Sequence, residues 1–170
     1  MIFVSLGSQK FQFNRLLMEI DYLIEDGTIL EEVIAQTGYS TYEPKNYKSI
    51  PFMSKPDFDQ YVEDCRILIT HGGTGAIVGA LKKNKKVIAV PRLAKYGEHV
   101  DDHQTQIVDV FRQKGMICGC KVEGLSQALR EAEVINPTPF VSNTDHFIAF
   151  IDEYIEKNAT KNKHSGGERE

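Results

Sequence analysis

Short apolar runs alternate with amphipathic stretches along most of the chain. The apolar runs are rich in β-branched residues and carry few charges, which is typical of strands that are buried on both faces of a sheet. Turn-forming residues follow several of them, as Gly7 and Pro91 do. The pattern predicts strands at residues 2–6, 31–38, 47–53, 66–70, 86–90 and 116–120.

Between these runs, apolar residues recur with the spacing of one helix face. This periodicity predicts helices at about 12–25, 55–65, 76–83, 101–114 and 125–133. A closing helix is marked by Phe147, Ile148, Ile151, Tyr154 and Ile155. Because strands alternate with helices throughout, we expect an α/β fold: a single Rossmann-like domain with a parallel sheet and helices on both faces.

Size and composition limit the organisation of the protein. Its 170 residues are 41% apolar and 26% charged, with a formal net charge of -4, so no basic field indicates nucleic acid as a partner. No apolar run approaches the roughly 20 residues that span a bilayer, and the amino end lacks the basic segment of a secretory signal, so we expect a cytoplasmic location. We expect one ordered domain over residues 1–156 and a disordered polar tail over 157–170.

Two glycine turns follow predicted strands. Gly7 and Ser8 follow the first strand, and "HGGTG" at 71–75 follows the fourth. In parallel α/β sheets ligands bind beyond the carboxyl ends of the strands, and glycines before a helix let backbone N–H groups approach a phosphate. Neither turn matches the GxGxxG or P-loop patterns. The glycines alone therefore leave two interpretations open, a phosphate cradle and a tight turn packed for steric reasons.

A second polar cluster, "RLAKYGEHVDDHQTQ", covers residues 92–106. Carboxylate and amide groups side by side suit sugar hydroxyls, which both donate and accept hydrogen bonds; the candidates are Glu98, Asp102, His103 and Gln104. Alternatively, Asp101 or Asp102 caps a helix. His99 and His103, four residues apart, suggest a metal pair, but the HExxH frame is missing. The pattern favours sugar contact over capping, and capping over metal.

These motifs also carry a family resemblance. The chain resembles the carboxyl-terminal domain of family 28 glycosyltransferases in three segments, which are in chain order "VSLGSQKFQFNRL", "HGGTGAI" and "KKVIAVPRLAKYGEHVDDHQTQ". Within that family the chain most resembles the small exopolysaccharide and capsule subunits of the PssE/EpsF type and their eukaryotic relative Alg13. The resemblance covers residues 1–155.

The resemblance implies the donor-binding half of a two-domain (GT-B) glycosyltransferase, with a UDP-sugar as donor and neither cofactor nor metal. It assigns the nucleotide and diphosphate to Gly7, Ser8, Phe52, Met53, His71, Gly72, Gly73, Thr74 and Gly75. It assigns the donor sugar to Glu98, Asp102, His103 and Gln104. Many relatives hold the ribose with a Glu on the helix after the glycine loop; here that position is Gly79, so we expect another side chain to make the contact.

The resemblance further implies an inverting hexosyltransferase subunit that acts on a lipid-linked acceptor in exopolysaccharide or capsule biosynthesis, with UDP-galactose or UDP-N-acetylglucosamine as donor. A membrane-anchored partner of the PssD/Alg14 type would supply the acceptor domain and the general base, and would hold this chain at the inner face of the membrane. We expect self-association of the isolated chain, because its partner face would be exposed. The alternative is a non-catalytic nucleotide-sugar-binding or partner-docking module.

Overall fold

A sheet of six parallel strands forms the centre of the protein within residues 1–141, the part that the computed structural model describes. The strands are β1 (Ile2–Ser5), β2 (Val33–Gln36), β3 (Lys48–Ile50), β4 (Ile67–His71), β5 (Lys86–Val90) and β6 (Cys118–Gly119). Their order across the sheet is β3-β2-β1-β4-β5-β6. This is the doubly wound order of a Rossmann-like sheet, which confirms the predicted fold class.

Five α-helices connect the strands within the same residues. They are α1 (Asn14–Glu25), α2 (Lys55–Asp64), α3 (Thr74–Lys82), α4 (His103–Gln113) and α5 (Leu125–Val134), with single 3₁₀ turns at Ala94–Tyr96 and Val122–Gly124. In the described part of the chain, no helix combines the length and the apolar character needed to cross a bilayer. The closing helix predicted at 147–155 and the tail predicted at 157–170 lie outside the described residues.

Successive residues of each central strand point to opposite sides of the sheet, and each side has its own apolar core. In β1, Ile2 and Val4 join the core that α1 and α5 cover, whereas Phe3 joins the core under α2, α3 and α4. β4 and β5 divide their side chains in the same way. Helices therefore cover both faces, which explains why the central strands read as continuous apolar runs.

The predicted element ends differ from the observed ones by a few residues. The run at 47–53 forms a strand only over Lys48–Ile50, because this edge strand pairs with β2 alone and Pro51 has no N–H to continue the ladder. The helix predicted from 101 begins at His103. Asp101 accepts a hydrogen bond from the His103 N–H, so it lies before the helix.

The strand order brings the two glycine turns together. β1 and β4 are neighbours in the sheet, with Ser5 paired to Thr70, so the turns that follow them start side by side. The chain leaves β1 toward β2 on one side and passes from β4 toward β5 on the other. This point, where the winding direction of the sheet reverses, is where doubly wound sheets bind their ligands.

Candidate functional site

A cavity of about 940 Å³ lies at the carboxyl ends of β1 and β4, between α2, α3 and the start of α4. Most of the site residues predicted from the sequence line it: Gly7, Ser8, Phe52, Met53, His71, Gly73, Thr74, Gly75, His103 and Gln104. Gly72, Glu98 and Asp102 are not among its lining residues. The structure therefore brings both glycine turns and the start of α4 to one space.

The imidazole of His71 fills the gap between the two glycine turns. A Cβ atom on Gly7 would lie 2.8 Å from the ring, and one on Gly73 would lie 2.3 Å from its Nε2. Gly7 also has φ +74°, a left-handed conformation that glycine adopts most easily. Burial, with the Arg92 cation as a further cause, lowers the pKa of His71 to about 4, so the ring is neutral at pH 7. Steric packing therefore explains two of the glycines.

The amino end of α3 faces the cavity without a side-chain cap. Its N-cap residue is Gly73, and no side chain accepts a hydrogen bond from the first turn. The first N–H groups of a helix have no partners within the helix, and the helix dipole makes this end partially positive. Thr74 and Gly75 form this turn and line the cavity, and a Cβ on Gly75 would meet no atom within 4 Å. The turn is thus built to receive an anion.

Gln104 holds the second glycine turn in place. Its Oε1 accepts hydrogen bonds from the N–H groups of Gly72 and Arg92, each at 3.1 Å, and its side chain is almost fully buried. A Cβ on Gly72 would lie 2.7 Å from the Cβ of Gln104. The side-chain oxygen of Gln104, a predicted sugar ligand, is therefore occupied within the protein, and Gly72 is a packing glycine.

Two more of the four predicted sugar ligands, Glu98 and Asp102, support the loop between β5 and α4. Glu98 is fully buried, pairs with Arg15 at 2.7 Å and accepts the Leu93 N–H at 3.0 Å. Asp102 accepts the Ala94 N–H at 2.7 Å. Neither side chain reaches the cavity wall in this structure, and their contact with a donor sugar stays a prediction.

His99, Asp101 and His103 form a cluster at the mouth of the cavity. One ligand atom from each lies within 4.8 Å of the others, close enough for a shared divalent ion. The Asp101 carboxylate already contacts the Nδ1 atoms of both imidazoles, at 3.5 Å for His99 and in a short hydrogen bond for His103. Asp101 therefore hydrogen-bonds only the His103 ring, since His99 Nδ1 has no hydrogen-bond partner within the described residues, and both imidazoles line the cavity.

The far side of the cavity is apolar. Phe52 and Met53 lie in the link between β3 and α2 and not on the strand end predicted for them. Met53 packs against the core under α2, and Phe52, which is 49% exposed, packs edge-to-face on Tyr39 with ring centroids 5.2 Å apart. Together with Phe58 they offer a surface on which a planar base can lie.

Gln36 is a cavity residue that the sequence patterns did not reveal. Its Nε2 donates to the carbonyl oxygens of Gly7 at 3.0 Å and Pro51 at 3.1 Å, which ties the first glycine turn to the link before α2. A polar side chain at the end of an otherwise buried strand was the available signal, because such a group needs a partner.

Arg92 is a second residue missed from the sequence. Its guanidinium is buried, and Nη2 donates to the carbonyl oxygens of Leu6 at 2.8 Å and Phe11 at 3.1 Å. Within the described residues, its Nε and Nη1 have no hydrogen-bond partner. Burial lowers the pKa of Arg92 to about 10, so it remains a cation at pH 7, behind the first glycine turn.

Comparisons with known proteins assign the chain to a family. The profile of the glycosyltransferase family 28 C-terminal domain matches residues 1–157. A curated relative is the UDP-N-acetylglucosamine transferase subunit ALG13 of Saccharomyces cerevisiae, 33% identical over 92 residues. That match covers 52% of this chain and 44% of the yeast protein, so it spans less than half the length of that relative.

Solved structures show the same fold at low sequence identity. The NMR solution structure of ALG13 has a TM-score of 0.58 and 21% identity, and the likeness covers 85% of this chain and 91% of that one. The crystal structure of MurG from Acinetobacter baumannii has a TM-score of 0.56 and 15% identity, over 88% of this chain and 49% of that one. Because the family profile spans nearly all of its length, the chain belongs to the glycosyltransferase family 28 C-terminal domain family.

Proposed function

We propose that the protein is the donor-binding subunit of an inverting glycosyltransferase that uses a UDP-sugar. The observation that carries this proposal is the uncapped amino end of α3, which opens into a cavity at the switch point of the sheet. A diphosphate bound there would accept hydrogen bonds from the N–H groups of the Thr74–Ala76 turn, and the base would extend toward Phe52 and Met53. Family membership supports the same assignment.

The reaction would be an attack by an acceptor hydroxyl on the anomeric carbon, on the face opposite the diphosphate. The bond between that carbon and the diphosphate oxygen breaks, and negative charge grows on the departing UDP. The α3 dipole and its free N–H groups would stabilise this charge, with the buried Arg92 cation adding to the positive potential. His103, which lines the cavity at the start of α4, would contact the donor sugar.

We further propose a partner chain that supplies the acceptor site and the general base. The relative ALG13 is named as a subunit of a UDP-N-acetylglucosamine transferase, which supports a shared active site. By the family resemblance the partner is a membrane-anchored PssD/Alg14-type subunit, the donor is UDP-N-acetylglucosamine or UDP-galactose, and the acceptor is a lipid-linked sugar of exopolysaccharide or capsule synthesis. The chain would then act at the inner face of the membrane.

Titration calorimetry with UDP tests the donor site. We expect binding in the presence of EDTA, because the N–H groups of α3 and not a metal would hold the diphosphate. A chain that binds no UDP, or binds it only when a divalent ion is added, would overturn the proposal. The second case would point to the His99–Asp101–His103 cluster as the diphosphate site.

A reconstituted complex with the partner separates a catalytic subunit from a docking module. His103→Ala is the suitable variant, since His103 is 48% exposed in its side chain, lines the cavity and, within the described residues, has its ring hydrogen-bonded to the exposed Asp101. We expect its transfer rate to fall with the fold unchanged. Unchanged turnover would favour the docking module.

A further inference from the structure

The cavity continues from the amino end of α3 into a groove between α2 and α3. The α2 wall consists of residues spaced as one helix face: Lys55, Phe58, Asp59 and Val62. The facing wall of α3 has the same spacing: Ala76, Gly79, Ala80 and Lys83. Because the middle residues of the α3 wall are small, the groove stays open beside the proposed diphosphate position.

Asp59 carries the one carboxylate among the described residues that line the cavity. Two lysines pair with it. Lys55, one turn earlier on α2, contacts Oδ2 in a short ion pair, and the Lys83 ammonium lies 3.8 Å from Oδ1. These hydrogen bonds and charges lower the pKa of Asp59, so the group is an anion at neutral pH.

The Asp59 carboxylate lies beside the part of α3 where Gly79 leaves space. Lys83 follows Gly79 by four residues, which is one helical turn, and it reaches both the side chain and the backbone carbonyl of Asp59. A Cβ on Gly79 would meet no atom within 4 Å. A ligand in the groove would therefore pass between a stretch of α3 without side chains, at Gly79, and the Asp59 carboxylate on α2.

We propose that Asp59 binds the ribose of the donor by accepting hydrogen bonds from its 2′- and 3′-hydroxyl groups. A carboxylate has two acceptor oxygens, which match the two donors of a vicinal diol. The ribose would lie between the diphosphate at α3 and the base at Phe52 and Met53, which line the same cavity as Asp59. This inference rests on the proposed function, because it requires a nucleotide in the cavity.

Calorimetry with UDP and with 2′,3′-dideoxy-UDP tests the assignment. We expect the unmodified protein to prefer UDP by about tenfold, which corresponds to about 1.4 kcal/mol for hydrogen bonds to a charged group. Asp59→Ala should remove this preference. Its loss of negative charge will change the affinity for both anionic ligands alike, so the ratio of the two affinities isolates the contact with the hydroxyls.

Two further variants complete the test. Asp64→Ala removes the same charge from α2 at a position that does not line the cavity, and the preference for UDP should survive. Gly79→Glu combined with Asp59→Ala should restore the preference, since the α3 position has room for a side chain. If the unmodified protein binds both ligands equally, or if Asp59→Ala keeps the tenfold ratio, the ribose contact is wrong while the donor site stands. If neither ligand binds the unmodified protein, the proposed function itself fails.

Discussion

Gly73 and Gly75 lie in the same turn, but replacing each with alanine is expected to change the stability of the protein in opposite directions. In Gly73→Ala the new Cβ would lie 2.3 Å from Nε2 of His71, well inside van der Waals contact. The ring has little room to retreat, because it is buried and its Nδ1 lies 3.4 Å from the Thr70 hydroxyl and 3.5 Å from the Ser5 carbonyl oxygen. Overpacking of this kind costs about 1–3 kcal/mol.

Gly75→Ala is the matched control. Its Cβ would meet no atom within 4 Å, and the position lies in the first turn of α3, where alanine is compatible with the backbone. Reducing the freedom of the unfolded chain then stabilises the protein by about 0.4–1 kcal/mol. The methyl group would nevertheless stand at the cavity edge where the diphosphate is proposed to bind, so UDP affinity should fall although stability rises.

Urea unfolding followed by circular dichroism measures the first difference, and calorimetry with UDP measures the second. With a slope of about 2 kcal/mol per molar urea, a cost of 2 kcal/mol lowers the midpoint by about 1 M for Gly73→Ala. The Gly75→Ala midpoint should stay level or rise. A Gly73→Ala protein as stable as the parent would refute the packing role of His71, and undiminished UDP binding by Gly75→Ala would refute the cradle.

Three other changes test the residues around the cavity. The pKa of His71 is about 4 in the folded protein and 6.5 in the unfolded chain, so the free energy of unfolding should fall by up to about 3 kcal/mol as the pH drops from 6.5 toward 4. The urea midpoint of the parent should therefore decrease with pH more steeply than that of His71→Asn across this window. Arg15→Met leaves the Glu98 carboxylate buried without its cation and should cost about 3 kcal/mol in unfolding free energy, and Glu98→Gln in the same chain should recover part of it. Gln104→Ala leaves two buried N–H groups without a partner and should lower the free energy of unfolding by about 2–4 kcal/mol. Asp102 is more exposed, so Asp102→Ala should lower it by less than about 1 kcal/mol, and equal losses would contradict the assigned hydrogen bonds.

The strands and helices could be predicted from local patterns, because the spacing of apolar residues within each element is set by neighbouring residues. In β1, for example, Ile2 and Val4 enter one core and Phe3 enters the other. The continuous apolar sequence of this strand already indicates that both of its faces are covered. The strand order does not follow in this way. Placing β1 beside β4 depends on contacts across some 65 residues of chain, as the Ser5–Thr70 pair illustrates, and no local pattern encodes them.

The sequence indicates the parts of the candidate site that are formed by backbone turns better than the parts that depend on contacts between distant side chains. The glycine turns were found because positive φ and close approach demand glycine, as at Gly7. Glu98 remains a predicted sugar ligand, but its pairing with Arg15, which lies 83 positions earlier in the chain, has no signal in the local sequence. The roles of Gln36 and Arg92 were missed for the same reason, since their partners lie far away in sequence.

The glycines that pack around His71 also determine how the site can hold charge. They bring the turns so close to the imidazole that it is buried, and burial keeps it neutral above about pH 4. The positive character of the proposed diphosphate position therefore comes from the α3 dipole, which does not titrate, and from Arg92, whose pKa of about 10 keeps it charged. The steric turn and the proposed phosphate cradle thus depend on one arrangement, in which close packing excludes water from His71 and leaves the end of α3 exposed.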